Sequence, residues 1–293
     1  MLSPKFNDCF NLFARTLKRA DSVTSYKRDC TLFSCVCGER DFLLLDSSDV
    51  ETFARYLLDK VSSGQMKPRY ASAVFARVRS VAVFFSSIDG LAYSNPFDGY
   101  HFPVADVSVT AASIPSNAEI DALMSAARED AELYCILALI LKCSLTSGEC
   151  VSLKKSDIVY SGTDMIIAIK SLNKKRFIKV PGDVETLLND YADAHPHEED
   201  FLFANKNGEQ LRIRTLQYRF KKAAAAAGFD NKYSLNDIRN TGIAYMLRCG
   251  ASGKEVSTFL NVNERWISKY ANSVEHMEIV SNDYTNLQVR RNV

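Results

Sequence analysis

The sequence predicts a mostly α-helical protein carrying one small antiparallel β-sheet, an α+β fold in two domains. Three observations predict it. Apolar residues recur at helical spacing through the first hundred positions and again from Ser116 onward, the period that buries one face of an amphipathic helix. Alternation suited to strands is confined to the stretch between Asp157 and Val180. The segment from Phe102 to Ser113 has no helical period and follows the break Asn95-Pro96-Phe97, so it reads as an interdomain linker. The expected organisation is a helical domain over residues 1–101, a linker over 102–113, and a larger domain over 114–293.

Each element has its own signal. Thr24-Ser25 precede a helix that runs through Tyr26 and Leu32-Phe33. Ser47-Ser48-Asp49 can N-cap a helix carrying Val50, Phe53, Ala54, Tyr56, Leu57 and Leu58, with Gly64 as its stop. Pro68 opens the next, with Ala71, Val74, Phe75, Val78, Val81, Phe84 and Phe85 at helical spacing. In the second half, Ser116 and Glu119 form a capping box ahead of Ile120, Leu123 and Met124, and a nearly continuous apolar helix spans Leu133 to Leu141. Strands follow at Met165–Ile169 and Arg176–Val180, joined by the hairpin connection Asn173-Lys174-Lys175. From Arg214 the pattern is helical again, and the run Ala223 to Ala227 ends at Gly228, a glycine stop.

Composition narrows the function classes. With 47% hydrophobic and 24% charged residues, the chain can bury a core, which excludes disorder over most of its length. Lys+Arg number 36 against 35 Asp+Glu, a net charge of +1; one basic face offset by acids elsewhere remains compatible with a nucleic-acid partner. No stretch approaches the ~20 apolar residues of a membrane span, and Met1-Leu2-Ser3-Pro4-Lys5-Phe6 lacks the layout of a secretory signal. The eight cysteines then read as buried thiols in a reducing compartment, so a cytoplasmic location is expected, on the nucleoid if the host is bacterial. His195 and His197 sit in a polar loop before Glu198-Glu199-Asp200, and Cys35-Val-Cys37 is the one close cysteine pair. Neither has zinc-site spacing, and no glycine-rich phosphate loop occurs. No metal or cofactor is expected.

The order of features resembles the tyrosine recombinases, the phage-integrase family, over nearly the whole chain. Thr24-Ser25-Tyr26, Val81 to Phe85 and Asn95-Pro96-Phe97 are similar to that family's helical, SAM-like core-binding domain. Pro103 and Ile114 to Ile120 resemble its linker and the first helix of its catalytic domain. Leu145 to Leu153 followed by Lys154 to Ile158 resembles the helix and strand start that carry its first catalytic arginine. The strand pair with Lys170, Lys174 and Arg176 resembles the hairpin presenting its lysine, and Phe201-Leu202-Phe203 its short segment before Gly208. Ser234 to Thr241, Gly250, Phe259-Leu260 and Tyr270 follow the order of its C-terminal motif. The resemblance implies two domains closing on duplex DNA as a C-shaped clamp. It also implies attack of a tyrosine hydroxyl on a phosphodiester without a metal, giving a 3′-phosphotyrosyl intermediate. That chemistry needs arginine and histidine donors for phosphoryl charge and a lysine acid for the leaving oxygen.

Here the chain departs from the pattern. With Glu149 set at the family's glutamate, the first arginine falls on Thr146. The histidine preceding the second arginine is Asn236, the arginine persists as Arg239, and the histidine that often follows it is Asn240. The family's Gly-His appears as Asn261-Val262, and the spacing onward to Tyr270 is one residue short. No histidine lies between His197 and His276, so realignment recovers none. Loss of one oxyanion donor typically costs ~10²–10³ in rate.

The sequence reading is therefore a DNA-binding protein with a degenerate catalytic site, serving DNA recombination or integration, as on a mobile genetic element, in an accessory, partner or regulatory role. One alternative is an active, divergent integrase cleaving through Tyr270; another is a protein-interaction scaffold without DNA binding. Tyr270 is the nucleophile candidate or a packing residue beside Trp266 and Ile267. Arg239 is a phosphate clamp or the ion-pair partner of Asp237 or Glu149. Lys170 and Lys174 are general-acid candidates or contacts to the DNA backbone. Arg212, Arg214, Arg219, Lys221 and Lys222 are DNA-binding candidates or a solvated helix face. The expected partners are double-stranded DNA and, on it, a partner recombinase or further copies of the chain.

Overall fold

The structure, a computed structural model, describes residues 2–17, 20–103, 109, 111–171, 174–196, 200–205, 207–230 and 232–271. Expectations resting on residues 104–108 and 110 of the linker, on Asn173, His197, Glu198, Glu199 and His276, and on residues 272–293 lie outside these, as does the side chain of Lys174. The chain divides into two compact units, Met1–Val107 and Ser108–Val293.

The first unit holds α1 (Pro4–Ala14), α2 (Ala20–Val36), α3 (Ser47–Ser62) and α4 (Pro68–Ser86). Its α1 has no counterpart in the sequence reading, although Phe6, Cys9, Phe10 and Phe13 stand at helical spacing and are buried together. Ser3 accepts from the Phe6 N–H and Pro4 fills a position whose own N–H would be unpaired. α2 opens at Ala20, a turn ahead of Thr24-Ser25. The cap of α3 is Asp46: its carboxylate accepts from the N–H of Ser48 and Asp49, and Asp49 returns the bond to the Asp46 N–H. Ser47 and Ser48 are already helical. Phenylalanines fill the core, Phe6, Phe33, Phe42, Phe53, Phe85 and Phe97 all being fully buried. Phe102, expected in the linker, stacks on Phe75 with ring centroids 4.5 Å apart. Two carboxylates are buried here among the described residues: Asp29, held by Arg77 of α4 (Nε to Oδ2, 2.5 Å) and by Arg28, and Asp49, held by Arg40.

The second unit contains α5 (Asn117–Ala127), α6 (Ala131–Cys143), α7 (Ser147–Ser152), β1 (Ile158–Ser161), β2 (Asp164–Ser171), β3 (Lys174–Lys179), α8 (Gly182–Ala194), α9 (Ile213–Ala226), α10 (Leu235–Arg248) and α11 (Gly253–Leu260), then a 3-10 helix at Glu264–Tyr270. The mostly helical chain with one small antiparallel sheet agrees with the fold class the sequence predicts. β1 begins at Ile158, where the resemblance implies a strand start, although the hydrophobic pattern alone does not mark it. The sheet order is β1-β2-β3, antiparallel throughout, with Ile158 facing Ile167 and Ile167 facing Ile178. Lys174 and Lys175 belong to β3 and not to the hairpin connection.

α6 is the axis of this unit: every residue from Leu133 to Leu141 is buried. α10 lies directly against it. A Cβ on Gly242 would stand 1.9 Å from the Leu141 carbonyl oxygen, so only glycine permits the approach. α6 ends at Ser144, whose φ of +51° places a serine in the left-handed region; its hydroxyl is buried without a hydrogen-bond partner among the described residues. The expected Ser116–Glu119 capping box opens α5. Glu119 also accepts from Lys232 Nζ (2.7 Å) and the Tyr233 hydroxyl (3.0 Å), fixing α5 to the segment ahead of α10. At the far end of the expected linker, Val109 and Ile114 pack with Ile243, Val256, Ile267 and Tyr270, and the Val109 N–H donates to the Lys269 carbonyl.

Three measurements probe this arrangement. Gly242→Ala should lower unfolding stability in urea by about 1–3 kcal/mol, the usual cost of overpacking; a change below about 0.5 kcal/mol would mean that the helices have room. Ser144→Gly removes a left-handed serine and an unpartnered hydroxyl, and should raise stability by about 1 kcal/mol; a fall in Tm would show that the side chain is needed. Burial acts to raise the Glu119 carboxyl, but bonds from Lys232, Ser116 and Tyr233 outweigh it and hold it at about 2, against 4.5 ordinarily. Its contribution is complete above about 4.5 and lost as pH falls toward about 2. Glu119→Gln should flatten stability across that window, seen in denaturation midpoints measured at stepped pH.

Candidate functional site

The start of α7, strands β2 and β3, the first turns of α10 and the end of α11 surround a cleft of about 290 Å³. Thr146, Glu149, Arg176, Arg239, Val262 and Trp266 line it. Thr146 is the N-cap of α7: its Oγ1 accepts from the Glu149 N–H (3.2 Å), while its own N–H donates to Glu149 Oε2 (2.7 Å). Its hydroxyl serves the helix, and it offers one neutral group where a guanidinium would offer five donors.

Arg176 is the residue sequence reasoning named without giving it a role. Side chains alternate along a strand, and the register Ile169–Arg176 and Ile167–Ile178 puts Arg176 on the inner face with Met165, Ile167, Ile169 and Ile178. It is 8% exposed. Nη2 meets Glu149 Oε2 at 2.8 Å, and Nη1 reaches the Phe259 carbonyl at 3.4 Å. The signal was available: Arg176 shares the parity of Ile178 and Val180, while Phe177 points out and is 66% exposed.

Arg239 is also 8% exposed. Neither acid expected as its partner binds it. Asp237 closes a capping box on Ser234, and Glu149 is taken by Arg176. Its Nε donates to the Ser144 carbonyl at 2.8 Å, and its terminal nitrogens make no hydrogen bond among the described residues. Burial pushes the guanidinium pKa down, while Tyr270 and Glu149 oppose the shift and the like charge of Arg176 adds to it. Its Cζ lies 5.7 Å from the Trp266 ring centroid. A buried cation with unused donors at a cleft wall is an incomplete interaction, which an oxyanion would complete.

The remaining candidates are placed as follows. Asn236 is exposed on the first turn of α10. Asn240 is buried and accepts from the Tyr270 hydroxyl at 2.8 Å; Tyr270 is itself fully buried, edge-on to Trp266. Val262 lines the cleft just after Asn261, whose φ of +54° ends α11 in the left-handed region. Lys170 has the opposite parity to Ile169, so the register sends it to the other face of the sheet from Arg176. There its Nζ pairs with Asp157 Oδ1 at 2.8 Å, in an adjoining cleft that shares Glu149 and Ile169 with the first. Lys174 pairs in the ladder with Ser171. Arg212, Arg214, Lys221 and Lys222 are exposed along α9, around Tyr218, which is 71% exposed. Arg219 is a correction to its grouping with them. Its guanidinium turns inward to Asp130 (Nε to Oδ2, 2.7 Å) and Glu132, so its charge is neutralised within the unit. Among the described residues, no group of three or more His, Cys, Asp or Glu could hold a metal, and no helix is long and apolar enough to cross a membrane.

Comparison with known proteins fits this geometry. The model of the Phage integrase family matches residues 116–276, more than half of the chain. A tyrosine recombinase XerC of Alcanivorax borkumensis is 22% identical over 82% of this chain and 78% of its own length. Another XerC, of Caldanaerobacter subterraneus subsp. tengcongensis, is 30% identical over 122 residues, 40% of this chain but only 34% of that relative. A lambda integrase dimer bound to a COC′ core site shares the fold with a TM-score of 0.70 at 15% identity, covering 93% of this chain and 95% of that one. The Tn1549 transposon integrase in complex with transposon right end DNA matches with a TM-score of 0.69 at 15% identity, covering 94% and 96%. On the family match, with the helical order and three-stranded sheet described above, the chain belongs to the phage integrase family of tyrosine recombinases.

Proposed function

We propose that the protein binds double-stranded DNA and acts in site-specific recombination as an accessory, partner or regulatory subunit that does not itself cleave the strand. The observation that carries the reading is Arg239, a buried guanidinium whose terminal nitrogens make no hydrogen bond among the described residues, at the wall of an open cleft. A phosphodiester oxygen is the ligand such a fork suits. Exposed Arg212, Arg214, Lys221 and Lys222 add charge for neutralising further phosphates. Several solved structures of the fold are recombinases in complex with DNA, including lambda integrase as a tetramer on a Holliday junction. A partner recombinase or further copies of this chain are therefore the proposed companions on DNA, in the cytoplasm.

The inactive reading rests on the groups around the candidate nucleophile. A phenol with a pKa near 10 needs help to attack a phosphate at neutral pH. Tyr270 donates its proton to a neutral amide and lies wholly inside the core. Thr146, Asn236 and Val262 supply no charged donor to developing phosphoryl charge.

Duplex affinity should fall steeply with salt, by about 10³–10⁵ between 50 and 200 mM if six to ten phosphates are neutralised. A nicked suicide duplex carrying the natural site should leave no denaturation-resistant adduct, and Tyr270→Phe should bind as well as the parent. An adduct lost in Tyr270→Phe would instead establish an active integrase. No duplex binding at low salt would leave the scaffold reading.

A further inference from the structure

We propose that Arg176 of β3 and Arg239 of α10 form a two-guanidinium clamp on a single phosphate group, Arg176 supplying from the sheet the second cationic fork that Thr146 cannot supply from α7. The inference rests on the DNA-binding reading for the source of the phosphate, a backbone phosphodiester, and deepens it by naming the residues that hold it.

Three observations carry it. Both arginines line the same cleft, and each is more than nine-tenths buried, yet among the described residues lining it Glu149 is the one carboxylate. Two buried cations against one acid leave an uncompensated positive charge, which is costly unless an anion enters. The donors are also unevenly used. Arg176 spends one terminal nitrogen on Glu149 and holds a long contact to the Phe259 carbonyl, while Arg239 uses only Nε, toward Ser144. Finally, Arg176 is a charged side chain set among Met165, Ile167, Ile169 and Ile178 on the inner face of the sheet. A hydrophobic residue would complete that face at less cost, unless the cation faces a ligand. Glu149 then competes with the phosphate for Arg176 Nη2 and, at the third helical position, closes the capping box with Thr146.

Trp266 makes the clamp observable, because it is the only tryptophan in the chain and lines the cleft. Inorganic phosphate should change its fluorescence saturably at constant ionic strength, where chloride does not. Arg176→Gln and Arg239→Gln should each weaken phosphate at least tenfold, the double variant little further because both act on one ligand. Arg176→Lys should recover part of the loss. Glu149→Gln separates a binding role from a structural one. Glutamine still closes the capping box, so α7 keeps its start while the competing charge goes, and phosphate should bind more tightly. Should Arg176→Gln fail to fold, that gain carries the test.

Absence of a saturable response in the parent, parent-like binding by folded Arg176→Gln, or unchanged or weaker binding by Glu149→Gln would overturn the clamp. Fluorescence anisotropy with a labelled duplex keeps the two readings apart. Duplex binding without phosphate binding sinks the clamp alone. Phosphate binding without duplex binding sinks the DNA reading alone.

Discussion

The contact on which the second unit depends is the approach of two helix backbones at Gly242. Helices usually pack 8–10 Å apart because side chains stand between them. Here a carbonyl of α6 fills the space a methyl group would need. The closeness sets where α10 begins relative to the end of α6, and so brings Arg239 Nε within 2.8 Å of the Ser144 carbonyl. The left-handed turn at Ser144 aims that carbonyl, and α7 starts just beyond it with Thr146 as its cap. One small residue thus positions three walls of the cleft.

Much of this was legible in the chain. The capping box at Ser116, the proline start of α4, the apolar run of α6 and the Gly228 stop are local signals, and local signals survive folding. Where short-range chemistry allowed several answers, the structure chose the neighbour: Asp46 caps α3 where Ser47-Ser48-Asp49 was expected, because its carboxylate reaches two N–H groups while Asp49 answers back. β1 shows only through the resemblance because it is four residues long with three of them exposed, too little for an alternating pattern to stand out.

The site was legible by position and much less so by partnership. Family order led to Thr146, Asn236, Arg239, Val262 and Tyr270, yet the pairings among charges came from the fold. Arg219 looks like one more cation on a basic helix, and only the approach of α9 to the Asp130–Glu132 start of α6 shows that it is spent internally. Arg176 looks like a hairpin-edge charge, and strand register turns it inward. A chain with 36 basic and 35 acidic residues can therefore hold concentrated positive charge, because many of its acids are committed to ion pairs and caps.

The bond from the Val109 N–H to the Lys269 carbonyl joins two stretches that are distant in sequence. Lys269 immediately precedes Tyr270, whose ring packs in the same small core as Val109 and Ile114. Val109 and the turn bearing the buried phenol therefore form one mechanical piece. Neither can be drawn away without breaking a main-chain bond and opening that core, so the position of Val109 and the seating of the phenol are a single degree of freedom.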